Sequence, residues 1–288
     1  MSKPINLSTK IFLDSGDPKD TLKALSLLGF LDGQTTNPTL VSKHPFAKSR
    51  FESGQKFSKD EIFEFYKNVV SDISKSIPKG SVSIEVYSDS LTTAEDMYNQ
   101  AKDMWTWIPN AHIKFPTSKN GLKAAHKFAQ EGGRVNMTLC FSQEQGAAVY
   151  SATKGSKRGD VFYSSFVGRL FDDGIDGIEQ LKNCIKMYKK GDRHVEVLAC
   201  SFRNIDQFLA SLQAGVDIAT VPLTLIQQWV DMGMPIPDNS WKYDDKNTKK
   251  PEFRDLDLKQ EWGTFDIYHP LAEKGIARFA SDWNGLVD

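Results

Sequence analysis

The feature that most constrains this chain is a strand-then-helix alternation repeated eight times. Strand-like runs fall at Ile11 to Asp14, Leu31 to Asn37, Val82 to Tyr87, Ala111 to Ser118, Val135 to Phe141, Val161 to Val167, Val195 to Phe202 and Ile218 to Leu223. Stretches of helical period separate them: Asp17 to Leu28, Glu61 to Lys75, Thr92 to Trp107, Lys119 to Glu131, Gln143 to Tyr150, Ile175 to Lys189 and Ile205 to Gln213, with one more after Leu223. Such alternation predicts parallel strands joined by helical crossovers, and eight units predict a closed α/β architecture, the (β/α)8 TIM barrel. The 288 residues, 40% hydrophobic, suffice for one such domain.

Punctuation supports the alternation. Asp17-Pro18 reads as an N-cap followed by proline at the first helical position, with Leu22, Leu25 and Leu28 on the buried face and Gly29 as the stop. Ile62, Phe65, Val69 and Ile73 form the stripe of the next helix. Pro38 biases Asn37 toward extended backbone, so its side chain projects from a strand end. Val41 to about Lys59 is polar and irregular and reads as a long loop or a small excursion. From Trp229 the pattern changes, and Pro235, Pro237, Asp244-Asp245 and Lys249-Lys250-Pro251 mark a linker. Pro270 to Trp283 reads as a last helix. We expect one domain over 1–288, with 229–288 a C-terminal helical extension packed on the barrel.

The inner face of the expected barrel is unusually polar. In strand three Val82, Ile84 and Val86 alternate with Ser83, Glu85 and Tyr87. In strand five Val135, Met137, Leu139 and Phe141 alternate with Asn136, Thr138 and Cys140, and strand six sets Ser164 and Phe166 on one face. Lys114 lies in the middle of strand four. A buried ammonium costs several kcal/mol unless paired or neutralised. Lys114 therefore either faces solvent or is a buried amine able to attack a carbonyl and form a Schiff base. Asp14 and Asn37 stand at the C-terminal ends of strands one and two, where barrel enzymes carry their active sites. Polar groups on six strands together point to a site at that end.

Other classes find little support. A net charge of −1 offers no basic footprint for nucleic acid. No run has membrane-spanning length, and Met1 to Lys10 has no apolar signal core. Cys140, Cys184 and Cys200 are too scattered for a metal site and fit a reduced, cytoplasmic compartment. The five histidines form no metal-spaced cluster. Neither a P-loop nor a dinucleotide fingerprint is present, so no cofactor is expected. His112, two residues from Lys114, reads as a core or supporting group.

Five short motifs, in order along the chain, resemble those of the transaldolase family. They are Thr35-Thr36-Asn37-Pro38, Ile113-Lys114-Phe115-Pro116-Thr117, Asn136-Met137-Thr138-Leu139, Ser164-Ser165-Phe166-Val167-Gly168-Arg169 and Ser201-Phe202-Arg203. The resemblance covers Asp14 to about Leu225. Ser165 departs from the family's usual proline, and Phe115 and Cys140 replace aliphatic residues. The resemblance implies a Schiff base on Lys114, with Asp14 as the base that cleaves the C3–C4 bond of a ketose phosphate. It implies that Glu85 moves protons through a water held by Thr138. It further implies that Asn37, Asn136 and Ser164 hold the hydroxyls of the retained three-carbon unit, and that Arg169, Ser201 and Arg203 hold the phosphate.

The reaction so implied is transfer of a dihydroxyacetone unit from sedoheptulose 7-phosphate or fructose 6-phosphate to glyceraldehyde 3-phosphate or erythrose 4-phosphate. This is a step of the non-oxidative pentose phosphate pathway. The related fructose-6-phosphate aldolases carry Gln at the Glu85 position and Tyr at the Phe166 position. The acid and the Phe present here imply the transferase. The alternatives are an aldolase of that type and a barrel that binds sugar phosphates without catalysis. Sugar phosphates are the expected partners, and the oligomeric state, a homodimer included, is left open.

Overall fold

In a computed structural model, residues 2–244 and 247–288 are described; Asp245 of the linker lies outside them. Eight parallel strands close into a barrel in sequence order: β1 (Lys10–Asp14), β2 (Gly33–Thr35), β3 (Ser81–Glu85), β4 (Ala111–Pro116), β5 (Val135–Cys140), β6 (Val161–Phe166), β7 (Val195–Cys200) and β8 (Ile218–Val221). The helices are α1 (Pro18–Leu28), α2 (Pro38–Ser42), α3 (Pro45–Glu52), α4 (Lys59–Ser76), α5 (Ala94–Trp105), α6 (Lys119–Gln130), α7 (Gln143–Ala152), α8 (Val167–Asp172), α9 (Gly177–Tyr188), α10 (Ile205–Gln213), α11 (Leu223–Asp231) and α12 (Pro270–Asn284). The expected (β/α)8 barrel is thus the fold.

Local chemistry sets the helix ends. Asp17 accepts from Lys19 N–H ahead of Pro18, and Gly29 closes α1 in the left-handed region at φ 75°. Capping boxes open α4 (Ser58 with Glu61), α5 (Thr93 with Asp96) and α7 (Ser142 with Gln145). Two expectations change here. Leu22 is exposed, because the buried face of α1 runs through Thr21, Ala24 and Leu28. The stretch expected to be a loop holds α2 and α3, each started by an N-cap followed by proline, Asn37-Pro38 and His44-Pro45. Asn37 is indeed extended, and for that reason it caps a helix.

Strand five breaks the expected alternation. Its register with β6 shifts between Met137 and Cys140, and Leu139 takes φ 59°. A left-handed residue turns the chain over. Leu139 and Phe141 consequently join the apolar cluster of Phe12, Phe162, Phe166 and Leu198. Cys140, expected beside Asn136 and Thr138, packs in the other cluster against Thr117, with Sγ 3.0 Å from Oγ1.

The barrel repeat continues to Asp231. Trp229, where the sequence pattern changes, is still part of the repeat: it is fully buried in α11, edge-on to Phe208. The segment that follows is pinned along the outer helices. Trp229 Nε1 donates to the Pro235 carbonyl, Asn183 to Pro251, and Gln143 both donates to and accepts from the backbone of Arg254. Gln145 donates to the Ile267 carbonyl, after which α12 lies against α2 and β5 at the C-terminal end of the strands.

Candidate active site

The barrel interior is polar at both ends and apolar between. Phe12, Phe162, Leu198 and Ile218 form the middle layer. Below it Glu196 takes Lys10 Nζ at 2.9 and 3.1 Å and lies 3.4 Å from Arg158, while the His112 ring stacks on Phe162 and meets Ser81 Oγ and the Gly159 carbonyl. Burial drives the His112 pKa down to about 3, so the ring is neutral and structural.

Above the apolar layer, Lys114 and Glu85 are neighbours across β3 and β4, both almost wholly buried. Lys114 Nζ lies 3.1 Å from Glu85 Oε2 and donates to the Thr36 carbonyl at 3.3 Å. The approach to Glu85 falls outside hydrogen-bond geometry, so that among the described residues Oε2 has no hydrogen bond; Thr138 Oγ1 is also buried without a partner among them. Burial raises the Glu85 pKa above its usual range, and the Lys114 charge only partly offsets it. Asp14 accepts from Thr35 Oγ1 at 2.8 Å, and Thr35 Oγ1 meets Thr220 Oγ1 at 2.6 Å. Burial raises Asp14 as well, against the pull of Lys114, Thr35 and Lys43.

These groups open into a cavity of about 430 Å³. Asp14, Asn37, Lys114, Ser164, Phe166, Arg169, Ser201 and Arg203 all line it. Glu85, Asn136 and Thr138 do not reach its wall. Glu85 stands behind Lys114. Asn136 is held between Ser83, to which Nδ2 donates at 3.0 Å, and Ser164, whose hydroxyl donates to Oδ1 at 2.6 Å. Asn37 faces the cavity while its Oδ1 caps α2.

The cationic rim is built by two motifs that touch. Gly168 packs on the Ser201 carbonyl so closely that a Cβ there would lie 2.0 Å from the oxygen. Ser201 takes φ 68°, and Arg203 donates to its carbonyl and hydroxyl while forking onto Asp172. Arg169, on α8, has no carboxylate within 4 Å among the described residues; its guanidinium lies over the rings of Phe166 and Phe279. Burial lowers its pKa from the usual value, and the like charges of Arg203 and Arg278 act in the same sense.

Sequence reasoning missed α8, Lys43 and Arg278. Lys43 ends α2 and Arg278 belongs to α12, and both line the cavity. Gly275 lets α12 approach, since a Cβ there would lie 2.5 Å from Leu139 and 2.8 Å from Arg169.

Fold and site together define a (β/α)8 barrel of the enzyme kind, with buried acids, an amine and an arginine rim at the C-terminal end of the strands. The chain belongs to the transaldolase/fructose-6-phosphate aldolase family, whose model matches residues 11–288. A protein of Dehalococcoides mccartyi described as "Probable transaldolase" is 33% identical over 280 residues, covering 96% of this chain and 99% of its own. One of Lactiplantibacillus plantarum with the same description is 32% identical over 277 residues, covering 96% and 97%. A solved chain described as "Crystal structure of a putative dehydratase from Mesorhizobium loti" shares the fold alone. It has a TM-score of 0.50 and 8% identity, covering 75% of this chain and 55% of that one. Among the described residues no helix is long and apolar enough to cross a membrane, and no group of acidic, His or Cys side chains could hold a metal ion.

Proposed function

We propose that the protein is a transaldolase, transferring a dihydroxyacetone unit between sugar phosphates through a Schiff base on Lys114. The observation that carries this reading is the buried Lys114–Glu85 contact at 3.1 Å, opening on a cavity with Arg169 at its rim, an arginine without a carboxylate partner among the described residues. An amine must lose its proton to attack, and the Glu85 carboxyl lies where it can take it. Nζ then adds to the C2 ketone of fructose 6-phosphate or sedoheptulose 7-phosphate, and water leaves to give an iminium. Glu85 Oε2 and Thr138 Oγ1, two of the three buried side-chain oxygens without a hydrogen-bond partner among the described residues (the third is Ser165 Oγ), are suited to hold the water that carries protons in that step. Asp14, its pKa raised by burial, takes the C4 hydroxyl proton, and the C3–C4 electron pair moves into the iminium. Asn37 and Ser164 face the retained unit, with Asn136 orienting Ser164. Arg169, Ser201 and Arg203 hold the phosphate of donor and acceptor in turn. The enamine attacks the acceptor aldehyde, and hydrolysis of the new iminium releases the product.

Two features favour transfer over simple aldol cleavage. Glu85 is an acid, not an amide. The Phe166 ring lies on the cavity wall against Phe141 and the Arg169 guanidinium, so no hydroxyl stands there to protonate the waiting enamine. A metabolic transferase of this kind is expected to work in the cytoplasm as part of the non-oxidative pentose phosphate pathway. The discriminating assay is release of glyceraldehyde 3-phosphate from fructose 6-phosphate, with and without erythrose 4-phosphate. Acceptor-dependent release is expected; release without acceptor would make the enzyme an aldolase.

A further inference from the structure

One side chain that the mechanism does not use reaches the backbone beside its two central groups from outside the barrel. Tyr66 belongs to α4, a helix of the outer ring, and is fully buried. Its hydroxyl enters the gap where β2 and β3 separate. It accepts from the Glu85 backbone N–H at 2.9 Å and lies 2.5 Å from Thr36 Oγ1. Thr36 Oγ1 gives its own proton to the Ser83 carbonyl at 2.7 Å, so Tyr66 is the donor to Thr36. Burial pushes the phenol well up, which keeps that proton in place.

The consequence lies in the ladder. Thr36 N–H bonds to the Ser83 carbonyl at 3.1 Å, as a parallel pair requires. In an unbroken parallel ladder the next bond would run from Glu85 N–H to the Thr36 carbonyl. Tyr66 takes that N–H instead. The Thr36 carbonyl is thereby released from the sheet, and it is the carbonyl that accepts from Lys114 Nζ. A single hydroxyl both fixes the backbone of Glu85 and frees the acceptor that aims the amine.

We infer that Tyr66 is a positioning residue for the Lys114–Glu85 pair, acting by replacing one rung of the β2–β3 ladder. The inference rests on the Schiff-base reading above. With phenylalanine at this position, Glu85 N–H regains the Thr36 carbonyl as its acceptor and Lys114 loses its backbone partner.

The test is Tyr66→Phe, mixed rapidly with fructose 6-phosphate and quenched at intervals with borohydride, with adduct counted by mass spectrometry. Adduct should reach the same final stoichiometry as in the unaltered protein, at least about tenfold more slowly, with KM for the phosphorylated donor little changed. A merely structural role would lower the final stoichiometry in proportion to the rate, and that result overturns the inference, as does an unslowed variant. If Tyr66→Phe does not fold, Tyr66→Met carries the same test, because it too takes the phenol away from the Glu85 N–H. Slow formation at full stoichiometry supports the inference, and an unaltered rate overturns it. Failure of the unaltered protein to form any adduct would overturn the Schiff-base reading itself, and the inference with it. An adduct in the unaltered protein together with an unslowed variant overturns the inference alone.

Discussion

Glu85 and Glu196 are equally buried, each 3% exposed, on strands of one barrel, and each faces a lysine. They differ in what surrounds them. Glu196, at the N-terminal end, receives two hydrogen-bond distances from Lys10 and a further contact from Arg158, both cations reaching in from solvent. Glu85, at the C-terminal end, has one buried amine, badly aligned, and an oxygen without a hydrogen bond. The first arrangement seals the barrel floor. The second holds acid and amine close together and incompletely satisfied, which costs stability. Burial of charge therefore does not distinguish the two ends of the barrel; how completely that charge is satisfied does.

Substitutions can break this contrast in graded steps. Lys114→Ala should abolish transfer, a loss on the order of 10⁴-fold or more in kcat, measured by acceptor-dependent release of glyceraldehyde 3-phosphate. Asp14→Asn should still form the imine but cleave about 10²–10⁴-fold more slowly, read by comparing adduct formation with turnover.

The same Asp14 variant should have a pH-dependent effect on stability. Burial raises the folded-state pKa of Asp14 above its ordinary value of 3.8, so the folded state binds its proton more tightly than the unfolded state. The carboxylate's cost is absent below the ordinary value, grows as pH rises through the folded pKa, and is complete above it. Asp14→Asn should accordingly raise Tm at neutral pH, and the gain should vanish near pH 3; a uniform shift at all pH values would contradict this.

On the proposed reading Arg169→Ala should raise KM for phosphorylated donors about 10–100-fold with a smaller change in kcat, because a rim guanidinium without a carboxylate partner among the described residues would act in binding more than in bond cleavage. Glu196→Gln should leave kcat and KM unaltered while lowering stability by about 1–3 kcal/mol, seen as a fall in Tm of several degrees. A drop in activity at unaltered Tm would erase the distinction between the two ends.

The barrel was legible in sequence because strand and helix periods differ, and their alternation survives without knowledge of contacts. Asp14, Lys114, Ser164 and Arg169 were legible for a related reason: each falls on the inner parity of a strand or in a short motif that follows one. Other features depend on backbone geometry or distant chain. Nothing in Thr138-Leu139-Cys140 announces that Leu139 turns over at φ 59°, so the faces of Cys140 and Phe141 were misplaced. The proline-capped helices α2 and α3 are short and bury only Pro38, Val41 and Ala47, so the sequence shows no helical stripe there and reads as a loop or small excursion. Arg278 reaches the cavity from α12 after the long pinned segment past Asp231, a path with no local signature. Tyr66 sits beside Phe65 on a helical stripe, where an aromatic reads as core; only the ladder gap between β2 and β3 gives its hydroxyl a task.

The central claim is that Lys114 is the amine that bonds to substrate. The most direct test is borohydride reduction in the presence of fructose 6-phosphate, followed by peptide mapping. The account predicts a single reduced adduct on the peptide containing Lys114; an adduct on another lysine, or none, would contradict it.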